Sequence, residues 1–157
     1  MGMTVEIRKA RPEDKAALVE MMESQLRQSY GHFMPADHID AWLAGGETAK
    51  FVDRLLDHIV VPVRDGAVVG MASIGDAMLE FLWVSAESRG SGVGQALLAY
   101  AEQQWRQAGH TVGRLECWPV NEQAMAFYKT AGYRVASVNA DDEAPYLDKA
   151  MMEKALA

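Results

Sequence analysis

The sequence is poor in cysteine, in long apolar runs and in positive charge, and each shortage excludes a class of protein. Its 157 residues include a single cysteine, Cys117, so no disulfide can form within the chain and nothing indicates an oxidising compartment. The longest apolar runs, such as Ile59–Val63, are far shorter than the roughly 20 residues that a membrane-spanning helix needs. Met1–Ala10 also lacks the basic segment followed by an apolar one that is typical of a secretory signal. We therefore expect a cytoplasmic protein that does not associate with membranes.

The charge balance is acidic. Fifteen basic residues stand against 22 acidic ones, which gives a formal net charge of −7. A surface of this sign repels the phosphates of nucleic acids and of anionic membranes, so neither is an expected partner. A partner that carries an amine is compatible with this charge. Neither His32 nor His38 has ligand-like spacing to Cys117 or to the other, and we predict no metal site.

The hydrophobic half of the sequence is enough for one packed domain over residues 1–157. Asp65-Gly66 lies between two apolar segments and is typical of a two-residue hairpin. The apolar segment Ala77–Val84 predicts a strand buried on both faces. The predicted strands are Thr4–Ala10, His58–Arg64, Ala67–Ile74, Ala77–Val84, Val112–Val120, Arg134–Val138 and Tyr146–Glu153. The predicted helices are one that begins at Pro12, then Asp37–Leu43, Glu47–Leu56, Gly92–Ala108 and Asn121–Thr130. This order indicates an α/β sheet with helices on both faces.

A glycine-rich loop over Ser88–Gly94 follows a predicted strand and opens a predicted helix. Uncovered backbone N–H groups and the helix N-terminus together form an anion site suited to a pyrophosphate. No lysine follows the glycines, as an ATP-binding Walker A loop requires, and Gln95 stands where a dinucleotide fingerprint needs its third glycine. A plain glycine turn between strand and helix is the structural alternative.

The loop and its preceding strand resemble the acetyl-CoA signature Q/R-x-x-G-x-G/A of the Gcn5-related N-acetyltransferases, with Arg89, Gly92 and Gly94 at the fixed positions. The segment NEQAMAFYKTAGY, from Asn121 to Tyr133, resembles a second motif of that family. The resemblance implies that the loop amides bind the pyrophosphate of coenzyme A, while the strand end and the second motif bind the rest of it. The residues implied to bind the cofactor are Leu82, Trp83, Val84, Arg89, Gly90, Ser91, Gly92, Val93, Gly94, Asn121 and Tyr128.

The fold implied by the resemblance is a single-domain Gcn5-related (GNAT) fold. Its α/β architecture has a central mixed, mostly antiparallel, twisted sheet of six to seven strands and about four helices. The implied function is transfer of an acetyl group from acetyl-CoA to a primary amine by direct attack in a ternary complex, by a monomer or homodimer. The acceptor stays open among a small amine, an amino acid, a polyamine, an aminoglycoside and a protein amino group. A non-catalytic acyl-CoA-binding module of the same fold is the alternative.

Two side chains are candidates for catalysis. The phenol of Tyr128 can protonate the departing sulfur, because its reference pKa of about 10 is close to the value of about 8.5 for a thiol. A core tyrosine whose hydroxyl bonds a backbone group is the alternative. Glu80 is the single charged residue of Ala77–Val84, and a desolvated carboxylate there is a candidate base. A position on a partly solvated face, or pairing with an arginine such as Arg114, is the alternative. A backbone N–H at Trp83 or Val84 can stabilise the oxyanion.

The segment between Gln28 and Leu56 falls where members of the family usually build the acceptor pocket. Its aromatic and acidic residues are suited to an amine through cation–π and charge contacts. The predicted acceptor-binding residues are Tyr30, His32, Phe33 and Asp37, with His38 and Trp42 nearby. For Trp42 and Phe33, simple packing of helices on the sheet is an equally good interpretation. Cys117 is predicted to be a small buried residue and not a nucleophile.

Overall fold

The computed structural model describes residues 5–28, 30–32, 34–141 and 148–156. Within these ranges the chain forms helices and strands that alternate in the manner of an α/β domain. The helices are α1 (Lys15–Gln28), α2 (Ala36–Ala44), α3 (Glu47–Leu55), α4 (Val93–Gln107) and α5 (Glu122–Thr130). The strands are β1 (Glu6–Lys9), β2 (Ile59–Arg64), β3 (Ala67–Val68), β4 (Gly70–Ile74), β5 (Met78–Val84), β6 (Val112–Cys117), β7 (Arg134–Asn139) and β8 (Lys149–Ala155). Of the helices in these ranges, none is both long and apolar enough to cross a membrane.

The strands form one mixed sheet in the order β1-β2-β4-β5-β6-β8-β7, with β3 paired to β2. Among the described pairs, β5–β6 is parallel and the others are antiparallel. The predicted fold class is confirmed. The described sheet has eight strands because the predicted strand Ala67–Ile74 is divided at Val69, whose N–H donates to the carbonyl of Pro62 at 3.0 Å. The described helices number five because the segment before β2 forms both α2 and α3.

Both faces of the sheet are covered by helices, because successive residues of a strand point to opposite faces. On β2, Ile59 and Val61 pack against α1 and α3, while Val60 joins the core beneath α4 and α5. The α1 and α3 face is closed by Leu18 and Val52, which are fully buried. The α4 and α5 face is closed by the buried residues Leu97, Ala101, Trp105, Met125 and Tyr128.

Two predicted strand boundaries need correction. The strand predicted to end at Val120 ends at Cys117, and a turn closed by the Asn121 N–H to the Trp118 carbonyl follows. The last strand begins at Lys149, and the predicted start at Tyr146 lies outside the described residues.

The prediction that β5 is buried on both faces is wrong. Leu79 is buried, but Glu80 is exposed and the residues from Phe81 to Val84 are half-buried. The physical reason is that β5 leaves its neighbour β6 after Leu79, so the end of the strand borders open space. That space is the candidate active site.

Candidate active site

The two central strands of the sheet separate at their carboxyl ends. β5 pairs with β6 only through Met78 with Arg114 and Leu79 with Leu115. Beyond this point β5 stays paired with β4 as far as Val84, and β6 stays paired with β8 as far as Cys117. A gap therefore opens in the middle of the sheet, with unpaired backbone along its edge.

The backbone of β5 alternates between the sheet and this gap. The N–H of Ser85 donates to the carbonyl of Val69 at 2.9 Å, on the β4 side. Alternate residues of a strand direct their N–H and C=O groups to the same edge. The backbone groups of Trp83 therefore also point to β4, whereas those of Leu82 and Val84 point into the gap. Arg89 Nε lies 3.4 Å from the Val84 carbonyl, in agreement with this direction. The expectation that the Trp83 N–H could stabilise the oxyanion is therefore wrong, because this group points to β4. The Val84 N–H points into the gap, as that role requires.

The glycine loop presents bare backbone at the start of α4. Gly90 and Gly92 have φ values of 75° and 91°, which L-residues with a side chain rarely adopt. A Cβ added at Gly90 would meet nothing within 4 Å, so the loop surface is open. Within the described chain, the N–H groups of Gly90, Gly92, Val93 and Gly94 donate no backbone hydrogen bond. These donors and the dipole of α4 fit a pyrophosphate.

Two arginines support this loop. Arg64, at the end of β2, donates to Ser88 Oγ at 2.8 Å and to Ser91 Oγ at 3.4 Å. Arg89 donates to Gln25 Oε1 and so connects the loop to α1. Sequence reasoning missed Arg64 because it precedes Ser88 by 24 residues, and no pattern in the sequence joins the two.

Two cavities meet at the gap and share part of their lining. The cavity beside the glycine loop has a volume of about 980 Å³, and its wall includes Arg89, Gly90, Gly92 and Gly94. The second cavity, of about 590 Å³, lies between the sheet and the helices α1, α2 and α3. Ser91 and Val93 are not in the lining, and the side chain of Val93 is buried in the core. The residues that line both cavities are Tyr30, Leu82, Trp83, Asn121, Ala124 and Tyr128.

Tyr128 is buried where the two cavities meet. Its ring packs edge to face against Phe127 and Tyr133, with centroids 5.2 and 6.3 Å away. Burial, with smaller contributions from nearby Cys117 and Tyr30, raises its pKa. The phenol therefore carries its proton at neutral pH. Within the described chain its hydroxyl makes no hydrogen bond, unlike the hydroxyl of a tyrosine that only fills the core.

Glu80 occupies a β-bulge. Ser73 of β4 faces Phe81 and Ile74 faces Leu79, so Glu80 is the extra residue on β5. The bulge places Glu80 on the same face as Phe81, towards the smaller cavity. Oε1 of Glu80 accepts a hydrogen bond from Ser73 Oγ at 2.8 Å and lies 2.8 Å from Nδ1 of His58.

Glu80 is exposed, so the expectation of a desolvated carboxylate is wrong and a partly solvated position is confirmed. Its partner is His58, and the alternative pairing with Arg114 is wrong. Arg114 lies 3.8 Å from Glu153 of β8 instead. Sequence reasoning assigned His58 no role, because it precedes Glu80 by 22 residues.

The predicted acceptor residues divide into three groups. Tyr30 lines the smaller cavity, as do His38 and Trp42, and burial raises the pKa of Tyr30 to about 12. Asp37 does not line either cavity; it is exposed at the start of α2, where its Oδ1 accepts from the His38 N–H at 3.0 Å. Phe33 and the side chain of His32 lie outside the described part of the structure.

Asn121 and Cys117 lie at the end of the gap that β6 forms. Oδ1 of Asn121 accepts from the Ala124 N–H at 3.3 Å, so it caps α5 as its position before the helix indicates. Cys117 is half-buried in the wall of the smaller cavity. Burial raises the pKa of its thiol to about 11, which disfavours the thiolate that a nucleophile needs.

Comparison with known proteins gives a consistent result. The sequence profile of the acetyltransferase (GNAT) family matches residues 17–133. Blasticidin-S acetyltransferase of Streptomyces morookaense is 37% identical over 73 residues, which are 46% of this chain and 52% of that protein. The match thus spans about half the length of this curated relative.

Solved structures of the same fold cover almost the whole chain. A GCN5-related N-acetyltransferase from Rhodopseudomonas palustris superposes with a TM-score of 0.82 at 22% identity, covering 99% of this chain and 98% of that one. The PaiA N-acetyltransferase of Thermoplasma acidophilum, solved in complex with coenzyme A, superposes with a TM-score of 0.79 at 21% identity, covering 98% and 99%. Because the family profile matches most of the sequence, the chain belongs to the acetyltransferase (GNAT) family.

Proposed function

We propose that this protein is an N-acetyltransferase that binds acetyl-CoA and a primary amine together and transfers the acetyl group directly between them. One observation carries the proposal: the gap between β5 and β6 joins the glycine-loop cavity to a second cavity, and Tyr128 lies at their junction. Bound acetyl-CoA supplies the acetyl thioester. Holding donor and acceptor side by side then lowers the barrier by proximity.

The larger cavity is suited to coenzyme A. Its glycine loop offers the N–H groups of Gly90, Gly92 and Gly94 to a pyrophosphate, and Arg89 adds positive charge at the same place. Leu82 and Val84 offer unpaired backbone groups along the gap, where an amide-containing arm can continue the sheet. Asn121 lies on the opposite wall. The amine acceptor then enters from the smaller cavity.

Tyr128 is the proposed acid for the departing sulfur. The phenol is protonated at neutral pH, although burial raises its pKa and so makes it a weaker acid than a free tyrosine. Its hydroxyl has no competing partner among the described residues. As the thioester bond breaks, negative charge grows on sulfur, and proton transfer from the phenol neutralises it.

Glu80 is the proposed base for the amine. Ser73 and His58 both engage Oε1, and no described residue bonds Oε2, which is left to accept a proton from the amine or from a water. The carboxylate lines the same cavity as Tyr128. The smaller cavity thus presents both the proposed base, Glu80, and the proposed acid, Tyr128, to the acceptor.

Two measurements test the proposal. A ligand that binds only the native state raises the melting temperature, so acetyl-CoA is expected to stabilise the protein and equal concentrations of ATP or NAD are not. Release of free thiol from acetyl-CoA is then expected to depend on an added primary amine. Stabilisation by acetyl-CoA without amine-dependent thiol release would instead identify a non-catalytic acyl-CoA-binding module.

A further inference from the structure

The lining of the smaller cavity distinguishes among the possible acceptors, provided that the proposed function is correct. We propose that the acceptor is a primary amine attached to an aromatic or similarly bulky apolar group, and that polycations such as polyamines and aminoglycosides are poor acceptors. Three features of the cavity support this: a continuous aromatic wall, an indole with no free polar atom, and balanced charge.

The aromatic wall consists of rings in contact with one another. Phe51 and Phe81 have centroids 5.1 Å apart, and Phe81 lies 6.3 Å from Trp83. Tyr30 continues the series, with its centroid 5.7 Å from Trp83 and 5.7 Å from Trp118. All five rings line the cavity. A flat apolar ligand can therefore replace water along the whole wall. Its binding is favoured both by the apolar area that it buries and by edge-to-face or stacked contacts with the rings.

Trp42 presents carbon atoms to the same cavity. Its indole Nε1 donates to Oγ1 of Thr48 at 2.9 Å, and Thr48 is fully buried. The single polar atom of this side chain is thus already satisfied within the protein. Buried Met34 and Ile39 lie beside it in the lining. The indole of Trp42 therefore offers a substrate an apolar surface and no hydrogen-bond partner.

The described ionisable residues that line the cavity carry no net charge when histidine is neutral. The described lining includes three carboxylates and three cationic side chains, whose charges cancel. Several are already engaged: Glu47 lies 3.4 Å from Lys50, and Arg54 stacks 5.4 Å above the ring of Phe51. The carboxylates are Glu47, Glu80 and Glu116, and the cations are Lys50, Arg54 and Lys149. The overall charge of −7 is therefore not concentrated here, and a polycation gains no net attraction.

The size of the cavity also suits this class. A volume of about 590 Å³ lies in the ordinary range of small-molecule pockets, roughly 300–1,000 Å³. Tyr128 and Glu80 both line it, so an amine on a short chain can reach the proposed catalytic groups while its ring packs on the aromatic wall. The ammonium form is further attracted by the aromatic faces before it loses its proton.

The experiment compares kcat/KM for thiol release from saturating acetyl-CoA with tryptamine, 2-phenylethylamine, spermidine, kanamycin and a lysine-containing peptide. We expect the two aromatic amines to exceed spermidine by about tenfold or more. Preference for spermidine, kanamycin or the peptide would overturn this inference but leave the proposed function intact. Acetyl-CoA binding with no acetylation of any amine would refute both.

Two variants and a control separate the contributions. Trp42→Ala is expected to raise KM for tryptamine by about tenfold, with little change for spermidine. Lys50→Glu changes an exposed side chain, so it is expected to leave folding unaffected, and it makes the described lining net negative. It is expected to shift the tryptamine-to-spermidine ratio towards spermidine by about tenfold. Val138→Ser, on exposed β7, is expected to leave all ratios unchanged. An unchanged ratio in Lys50→Glu would contradict the charge argument.

Discussion

Nδ1 of His58 lies 2.8 Å from Oε1 of Glu80, and the same oxygen accepts a hydrogen bond from the fully buried hydroxyl of Ser73. One carboxylate oxygen is thus fixed by two elements, the turn before β2 and strand β4. The β-bulge that makes Glu80 an extra residue turns the carboxylate to the acceptor cavity. His58 is therefore inferred to be a positioning residue for the proposed base.

Removing this contact is expected to affect turnover more than binding. His58→Ala should lower kcat by about tenfold with little change in KM for acetyl-CoA, because Glu80 loses its orientation but the glycine loop is untouched. His58→Gln keeps a side-chain donor and should recover most of the loss. Steady-state kinetics of the two variants check this. Equal activity in His58→Ala and the wild type would show that the contact does not orient the base.

Tyr128→Phe removes the proposed acid without changing the shape of the core. Loss of a general acid typically costs about 100-fold or more in rate, so kcat should fall by at least that factor while acetyl-CoA still raises the melting temperature. Turnover at the wild-type level would remove Tyr128 from the mechanism.

Tyr133→Phe is the matched control for this substitution. The Tyr133 hydroxyl donates to buried Glu102 at 2.9 Å, and Lys154 lies 3.1 Å from the same carboxylate. Losing that donor should cost about 1–3 kcal/mol of unfolding free energy, with kcat unchanged well below the melting temperature. Urea denaturation and kinetics together separate the two tyrosines.

The glycine loop is tested at Gly92. Its φ of 91° means that Gly92→Ala should cost about 1–2 kcal/mol of stability, and Gly92→Glu should also repel the pyrophosphate. Gly46→Ala provides the control, because Gly46 likewise has positive φ and precedes a helix, yet neither it nor its two neighbours line the glycine-loop cavity. Isothermal titration should show acetyl-CoA binding retained by Gly46→Ala and lost by Gly92→Glu. Wild-type affinity in Gly92→Glu would refute the pyrophosphate assignment.

Stability is expected to depend on pH through Asp14. A hydrogen bond from Arg8 at 2.8 Å, with a smaller contribution from the Arg11 N–H, holds the pKa of this carboxyl below its usual value. The stabilisation is therefore complete above the unfolded pKa of about 3.9 and is lost as pH falls through the lower folded value.

Asp14→Asn should accordingly lose about 1–2 kcal/mol at pH 7 and progressively less below pH of about 4. Urea unfolding at a series of pH values measures this. Asp53→Asn, which breaks an exposed pair with Lys15, should cost less than about 1 kcal/mol. A penalty for Asp14→Asn that grows in acid would contradict the sign of the shift.

Much of the fold and part of the site follow from local sequence. Asp65-Gly66 marks the hairpin because both residues adopt positive φ there, and Asn121 marks the start of α5 because its side chain caps the first turn. The glycine loop between β5 and α4 could also be predicted, since Gly90 and Gly92 adopt the positive φ that favours glycine. The acceptor residues were harder to predict. Asp37 and Trp42 belong to the same predicted helix, yet of the two only Trp42 lines the cavity.

The sequence by itself determined most of the secondary structure, the glycine loop and the family motifs, because each depends on residues close together in the chain and on backbone preferences that neighbours impose. Only the tertiary structure decided that His58 meets Glu80, that Arg64 supports the loop and that the Val84 amide, not that of Trp83, faces the gap. Those relationships depend on strand register and on a single bulge, and shifting either by one residue would turn every affected side chain to the opposite face of the sheet.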